Sequence, residues 1–390
     1  MKRLVPSILF VAIAGLAPSR AYAQDTVTDI VGFLVTNQAV RTGDIERDRA
    51  AAEGTRDTIT RALLVNLASV PIATSSSGFL YRLNPQLGTV ERATDSFGGF
   101  FVERALTPGN GRASFGISAS SSSFHRLDDR DLRDGTFQTF AIGFTDEAAP
   151  FETEMLTLRV RSSTMTAFAS VGITDRLEIG GAIPFVRLSI EGQRITLYRG
   201  ETFLQATGSA TARGMADAAV RAKYTLVTGR VGGVAIAGEV RLPTGDADNL
   251  LGAGSAAFRL LGIGALEQGP LMLSANAGIV RRGISDELNA GAAAAVAVHP
   301  RLSLTAEILA RNIAELRPME LSSQRHPSID GVQTIRLVGG DGGQLVASGV
   351  AGFKWNPAAT IVVGANVRWN FTTAGLTAPV TPSIAFEYGF

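Results

Sequence analysis

Ile384, Phe386, Tyr388 and Phe390 occupy every second position at the end of the sequence, with Ser383, Ala385, Glu387 and Gly389 between them. Period-two alternation sends successive side chains to opposite faces of a strand. This segment therefore suits a sheet whose two faces meet different media. An aromatic strand with no polar tail fits the closing strand of a membrane barrel, which must leave no unpaired edge in lipid. The edge strand of a soluble β-sandwich is the competing reading of this segment alone.

The other end of the sequence carries an address. Met1-Lys2-Arg3 is a basic start, Ile8 to Leu16 an apolar core, and Ala21-Tyr22-Ala23 a small-x-small cleavage site. Residues 1–23 read as a secretory signal peptide, too short for a membrane anchor. Export with no cysteine leaves neither a lipid attachment site nor a disulfide framework. Cleavage removes Lys2, Arg3 and Arg20, so the 36 basic residues fall to 33 against 35 acidic ones. No basic tract with interleaved aromatics argues for nucleic acid. No later apolar run is long enough for a membrane helix, which takes about 18 residues or more.

Residues 24–110 differ in pattern from the rest of the chain. Asp44 to Leu67 carries Ile59, Ala62, Leu63 and Leu67 at helical spacing, ended by Ser69-Val70-Pro71. Phe79 to Leu83 and Thr89 to Arg92 read as a hairpin. The expectation is a periplasmic or plugging segment with one helix; a flexible leader is the alternative.

From residue 111 the pattern is strand and turn. Twelve strands are expected near 112–124, 153–171, 177–191, 216–228, 233–242, 255–266, 271–282, 287–298, 302–316, 343–355, 359–371 and 380–390. Most reach the ~9–11 residues that a tilted strand needs to cross the hydrocarbon layer. The connections alternate. Short ones fall at 172–176, 229–232, 267–270, 299–301 and 356–359, and most of the others are longer, including 125–152, 192–215, 243–254 and 317–342. Short turns on one side and long loops on the other mark a bacterial outer-membrane barrel. The fold expected is thus all-β, a transmembrane antiparallel up-and-down β-barrel over 111–390.

Strand parity sorts the charges. Val220, Ala222, Tyr224 and Leu226 oppose Arg221 and Lys223, and Val234, Ile236, Val240 and Leu242 oppose Glu239 and Arg241. Leu156, Leu158 and Val160 oppose Arg159 and Arg161 in the same way. An Arg or Lys at the lipid midplane costs about 2–4 kcal/mol, so the charged faces are expected to line the lumen. The expected lumen set is Arg159, Arg161, Glu178, Arg221, Lys223, Glu239, Arg241, Arg259, Glu307, Arg311 and Arg368, with arginine in excess and a mild anion preference. Phe168, Phe353, Trp355 and Phe390 are expected at the periplasmic rim, and Phe124, Trp369 and Phe371 at the outer rim. Pro184 is expected to bulge or break its strand, with the alternation changing phase after it.

Leu242-Pro243-Thr244-Gly245-Asp246, with Asn249-Leu250-Leu251-Gly252-Ala253-Gly254-Ser255 after it, resembles the outer-membrane transporter family of phenol meta-pathway degradation proteins. Thr174 to Gly180, Ile183-Pro184 and the closing Glu387-Tyr388-Gly389-Phe390 share that resemblance. The family is itself similar to the long-chain fatty-acid and aromatic-hydrocarbon channels. The resemblance implies an outer-membrane transporter of small hydrophobic or aromatic molecules.

No enzyme, metal or cofactor constellation stands out. His125, His299 and His326 lack metal-ligand spacing, and no Gly-x-Ser-x-Gly elbow occurs. Asp246, Asp248 and Asn249 fit a solvated turn better than a calcium loop. The function expected is passive uptake of small, hydrophobic or aromatic molecules across a Gram-negative-type outer membrane. Expected partners are its lipids, the solute and the barrel-assembly machinery, the last through Phe386, Tyr388 and Phe390. A non-transporting structural or adhesive barrel with a closed lumen is the alternative.

Overall fold

The structure is a computed structural model that describes residues 26–36, 45–68, 81–84, 89–92, 96–229, 231–326, 328–358 and 360–390. The expected signal peptide lies outside the described residues.

Alternating sequence with short Gly, Pro and Asn turns gives consecutive antiparallel hairpins. The barrel strands, labelled in chain order, are β1 Ala113–Phe124, β2 Glu152–Gly172, β3 Leu177–Tyr198, β4 Ala219–Gly229, β5 Gly232–Arg241 and β6 Ala257–Gln268. They continue as β7 Leu271–Arg282, β8 Glu287–His299, β9 Leu302–Ile313, β10 Gln344–Ala358, β11 Ile361–Asn370 and β12 Thr381–Gly389. Each pairs antiparallel with the next, and β12 pairs back onto β1 from Ser383↔Ser120 to Gly389↔Ser114. Ala113 and Phe390 exchange both backbone hydrogen bonds at 2.9 Å, so the seam is closed to its end. The twelve expected strands are these twelve.

The outward face is apolar. Tyr224, Ile236, Leu260, Leu273, Ile308, Ile384 and Phe386 are each more than 40 % exposed. So broad an apolar surface has no stable place in water, and it matches the lipid-facing band of a membrane barrel. The chain is an outer-membrane-type β-barrel. Among the described residues no helix is long and apolar enough to cross a membrane.

Several expectations need correction. The long outer connections are largely strands. β3 runs on to Tyr198 and turns back through Glu201–Met215, while Gln138–Phe144, Val332–Gly339 and Met319–Arg325 join the sheet beside β2. They build a wall rising from one side of the outer end. Pro184 does not break β3, because pairing with β2 runs without a register shift from Glu152↔Tyr198 to Gly172↔Glu178. The interruption lies in its partner, where Ala216 to Ala218 separate Glu201–Met215 from β4 and Ala216 N–H donates to Pro184 O at 2.8 Å. Phe168 and Phe124 also face inward: Phe168 is 5 % exposed over Gly116, and Phe124 packs on the core beneath the wall. Phe353, Trp355, Phe371 and Phe390 are exposed as expected.

The segment before the barrel holds two helices, α1 Val27–Thr36 and α2 Ile45–Ala68, where one was expected. The hairpin Tyr81–Asn84 with Thr89–Arg92 is present. Val27, Val31 and Leu34 of α1 and Ile59 and Leu63 of α2 are fully buried against Leu156, Leu158, Val160, Leu188 and Ile190, on the inner face of the wall.

Candidate functional site

The lumen is built by inward positions of the strands and, among the described residues, is filled by one piece of chain, residues 96–111, which we term the strap. It has no strand pairing of its own. Inward side chains capture its backbone instead. Phe97 N–H donates to Ser303 Oγ at 2.9 Å. Glu307 accepts the N–H groups of Phe100, Phe101 and Val102, the last two at 2.9 Å. Lys354 Nζ donates to Gly99 O at 2.6 Å and stands 4.6 Å from the centre of the Phe100 ring. Phe100 needs the glycines beneath it, since a Cβ at Gly352 or Gly364 would lie 2.8 Å from its ring.

Farther along, the strap carries charge of its own. Glu103 pairs with Arg221, and Thr225 Oγ1 donates to Ala105 O at 2.7 Å. Ala105 packs on Ala235, Ala237, Leu261, Ile263 and Ala265 of β5 and β6. Lys223 Nζ donates to Leu106 O at 3.0 Å and pairs with Glu178 at 2.8 Å. Both Glu178 oxygens lack an aligned hydrogen bond, so this contact is an ion pair rather than a bridge of good geometry. The strap ends at the short-turn side, where Thr107 Oγ1 donates to Asp175 O and Gly111 N–H to Gly172 O.

Two chambers flank the strap toward the outer end. The first is lined by Phe101, Glu239, Arg241, Arg259, Glu287 and Arg311. Glu239 receives Arg241 Nε at 3.1 Å, with Arg259 at 4.0 Å on its other oxygen. Arg311 donates twice to Glu287, at 2.6 and 3.1 Å. The second chamber is lined by Ser118, Ser120, Thr164, Thr381 and Arg368, with Leu250 and Leu251 at its top. Arg368 stands 5.9 Å from the centre of the Phe101 ring, so the strap aromatic is shared by both chambers.

The Pro-Thr-Gly-Asp loop closes the outer side of these chambers. Asp217 accepts Gly245 N–H at 3.0 Å and Ala253 N–H at 2.8 Å. Asp246 accepts the N–H groups of Asp248 and Asn249, and the resulting turn offers Asn249 Oδ1 to Val27 N–H and Asp248 O to Thr28 N–H. The loop thus caps the first turn of α1, whose leading N–H groups have no partner within the helix. At the outer rim, Asp286 accepts from Arg281 Nη1 at 2.6 Å and from Arg282 N–H, and these bonds hold its carboxyl below the usual carboxylate range.

Nine of the eleven expected lumen residues face inward. Glu178, Arg221, Lys223 and Glu307 serve the strap and the floor below it, while Glu239, Arg241, Arg259, Arg311 and Arg368 line the chambers. Arg159 and Arg161 do not. Both are exposed on the outer face of β2, and it is Leu156, Leu158 and Val160 that point inward. The rule that apolar faces outward fails there because helices, not water, fill the inside. The expected set omits Glu103, Glu287 and Lys354. Glu287 and Lys354 sit at inward parity in their strands, which is the signal that could have found them. Glu103 precedes the first strand, where parity has nothing to say.

No family model matches the chain, and no curated protein matches it. Among solved structures it is similar to an outer membrane channel from Pseudomonas putida F1, with TM-score 0.43 and 10 % identity over 72 % of this chain and 96 % of that one. It is also similar to the toluene transporter TbuX of Ralstonia pickettii, with TM-score 0.29 and 10 % identity over 72 % and 90 %. The CymD monoaromatic hydrocarbon channel gives TM-score 0.29 and 9 % identity over 72 % and 89 %. The fold assignment rests on the chain's own strand pairings, not on these likenesses.

Proposed function

We propose that the protein is an outer-membrane channel for passive uptake of small organic molecules. The solutes fitted best have an apolar or aromatic body and an anionic group. One observation carries this reading: two chambers, roofed by the Pro-Thr-Gly-Asp loop, lie on either side of a strap held by side chains rather than by strand pairing. Arg368, which forms no ion pair among the described residues, offers donors to an anion, and Phe101, Leu250 and Leu251 offer apolar contact. Below the chambers the strap and the Lys223–Glu178 pair fill the passage, so conduction requires the strap to shift. The resemblance to the phenol meta-pathway transporters and the aromatic-hydrocarbon channels supports the solute class.

The filled lower lumen also favours a second reading, a barrel that stays closed and does not transport. Liposome swelling separates the two. Benzoate is expected to enter faster than benzylamine of similar size, and removal of residues 97–106 is expected to raise the rate severalfold. No swelling by either solute, with or without the strap, removes the channel reading. We further propose that residues 1–23 direct export and that Phe386, Tyr388 and Phe390 are read by the barrel-assembly machinery.

A further inference from the structure

The outward face of the wall carries charge that the lumen does not use. Its rows can be read from the register. Met165, Phe185 and Met215 lie side by side, 51, 47 and 37 % exposed, as the last apolar row before four polar ones. The next row outward holds Ser163, Arg187 and Arg213, and the one beyond it Arg161, Ser189 and Thr211. Rows on one face are about 7 Å apart, two residues at about 3.3 Å each. All three arginines are exposed.

Two features set this group apart. Arg187 and Arg213 stand directly opposite one another, which places their Cβ atoms about 4.5–5.5 Å apart, a position in which like charges destabilise a sheet. Among the described residues none of the three forms an ion pair. Four other arginines are matched by an acid: Arg221 by Glu103, Arg241 by Glu239, Arg311 by Glu287 and Arg281, at the outer rim, by Asp286. The acid nearest in register, Glu191, lies one row farther out and faces Arg159. A sheet that opposes two arginines at the edge of its apolar band, with no acid supplied by the chain, is complementary to an anion from outside. Hydroxyls of Ser163, Ser189 and Thr211 add neutral donors around it.

We propose that Arg161, Arg187 and Arg213 form a binding surface for the phosphate groups of an outer-leaflet glycolipid of the lipid A type. Its acyl chains would lie on the Met165, Phe185 and Met215 row. The position decides the partner, because the anion must sit at the boundary between acyl chains and water. Guanidinium forks suit phosphate oxygens and bind them with charge-assisted hydrogen bonds. The proposal rests on the membrane placement of the barrel and not on whether the lumen conducts.

The test uses the full-length mature barrel in detergent, with bisphosphorylated lipid A and its phosphatase-treated form as probes and native mass spectrometry as readout. The wild type is expected to retain the bisphosphorylated lipid about tenfold more tightly than the dephosphorylated one, a difference of about 1.4 kcal/mol. The triple variant R161Q/R187Q/R213Q is expected to lose that preference, and R281Q to keep it. Heat-modifiable gel mobility reports folding; if the triple variant fails to fold, the single variants R187Q and R213Q are each expected to weaken retention about threefold. Equal retention of the two lipids, or an unchanged preference in the folded variants, overturns the proposal. Displacement of the lipid by an equal concentration of inorganic phosphate also overturns it, because the site would then serve a free anion.

Discussion

Lys223 Nζ lies 2.8 Å from Glu178 Oε2 beside the strap, and the two side chains are 0 and 1 % exposed. Removing one member of such a pair leaves an uncompensated buried charge, at a typical cost of about 3–5 kcal/mol. E178Q is expected to lower the urea midpoint of the folded barrel strongly, and the double variant E178M/K223M to recover most of the loss. A single variant as stable as the wild type would show that the pair does not hold the floor of the lumen.

Glu307 gathers three consecutive N–H groups of the strap, and hydrogen bonds to a charged acceptor are worth about 1.5–3 kcal/mol each. E307A is expected to release Phe100 to Val102, speed proteolysis within residues 96–111, and raise the swelling rate at least twofold. Proteolysis that increases without any change in swelling would separate the strap from the transport path.

Ile384 points outward and Ala385 inward on the same strand. I384R places a cation in lipid near the middle of β12 and is expected to cost about 2–4 kcal/mol in barrel stability. A385R reaches into the second chamber and is expected to cost far less. Reversal of that order in refolding titrations would contradict the membrane placement of the outer face.

Asp217 holds two backbone N–H groups of the 242–255 loop, which in turn caps α1. D217A leaves both donors unmet, a cost of about 1–3 kcal/mol for each one that water cannot reach. Hydrogen exchange is expected to quicken in residues 243–253 and in α1 together. Faster exchange in the loop alone would mean that α1 is held by its apolar contacts.

Strand count, closure and the parity of β4, β5, β9, β11 and β12 are legible in the sequence because each of those strands has one face in lipid and the other in the lumen. The lumen side of Lys223, Arg241 and Glu307 follows from the cost of a cation or carboxylate in hydrocarbon. Arg159 and Arg161 depart from that rule because β2 outruns the bilayer: above Met165 water lies outside and α1 and α2 lie inside, so the same alternation has the opposite meaning. The strands at 138–144, 201–215, 319–325 and 332–339 look like loops because no apolar face repeats in them strongly enough. The strap is invisible for a different reason. Its fixed shape comes from Ser303, Glu307 and Lys354, residues some two hundred positions away.

The seam between Ala113 and Phe390 joins the chain's first barrel strand to its last, and the strap enters and leaves that ring at one end: Phe97 meets Ser303 and Val362 beside two short turns, and Gly111 meets Gly172 at a third. A segment anchored at both ends on the same side can be lifted out of the lumen without parting β12 from β1. The barrel wall and its filling are therefore separable, and the lumen can empty while the ring stays whole.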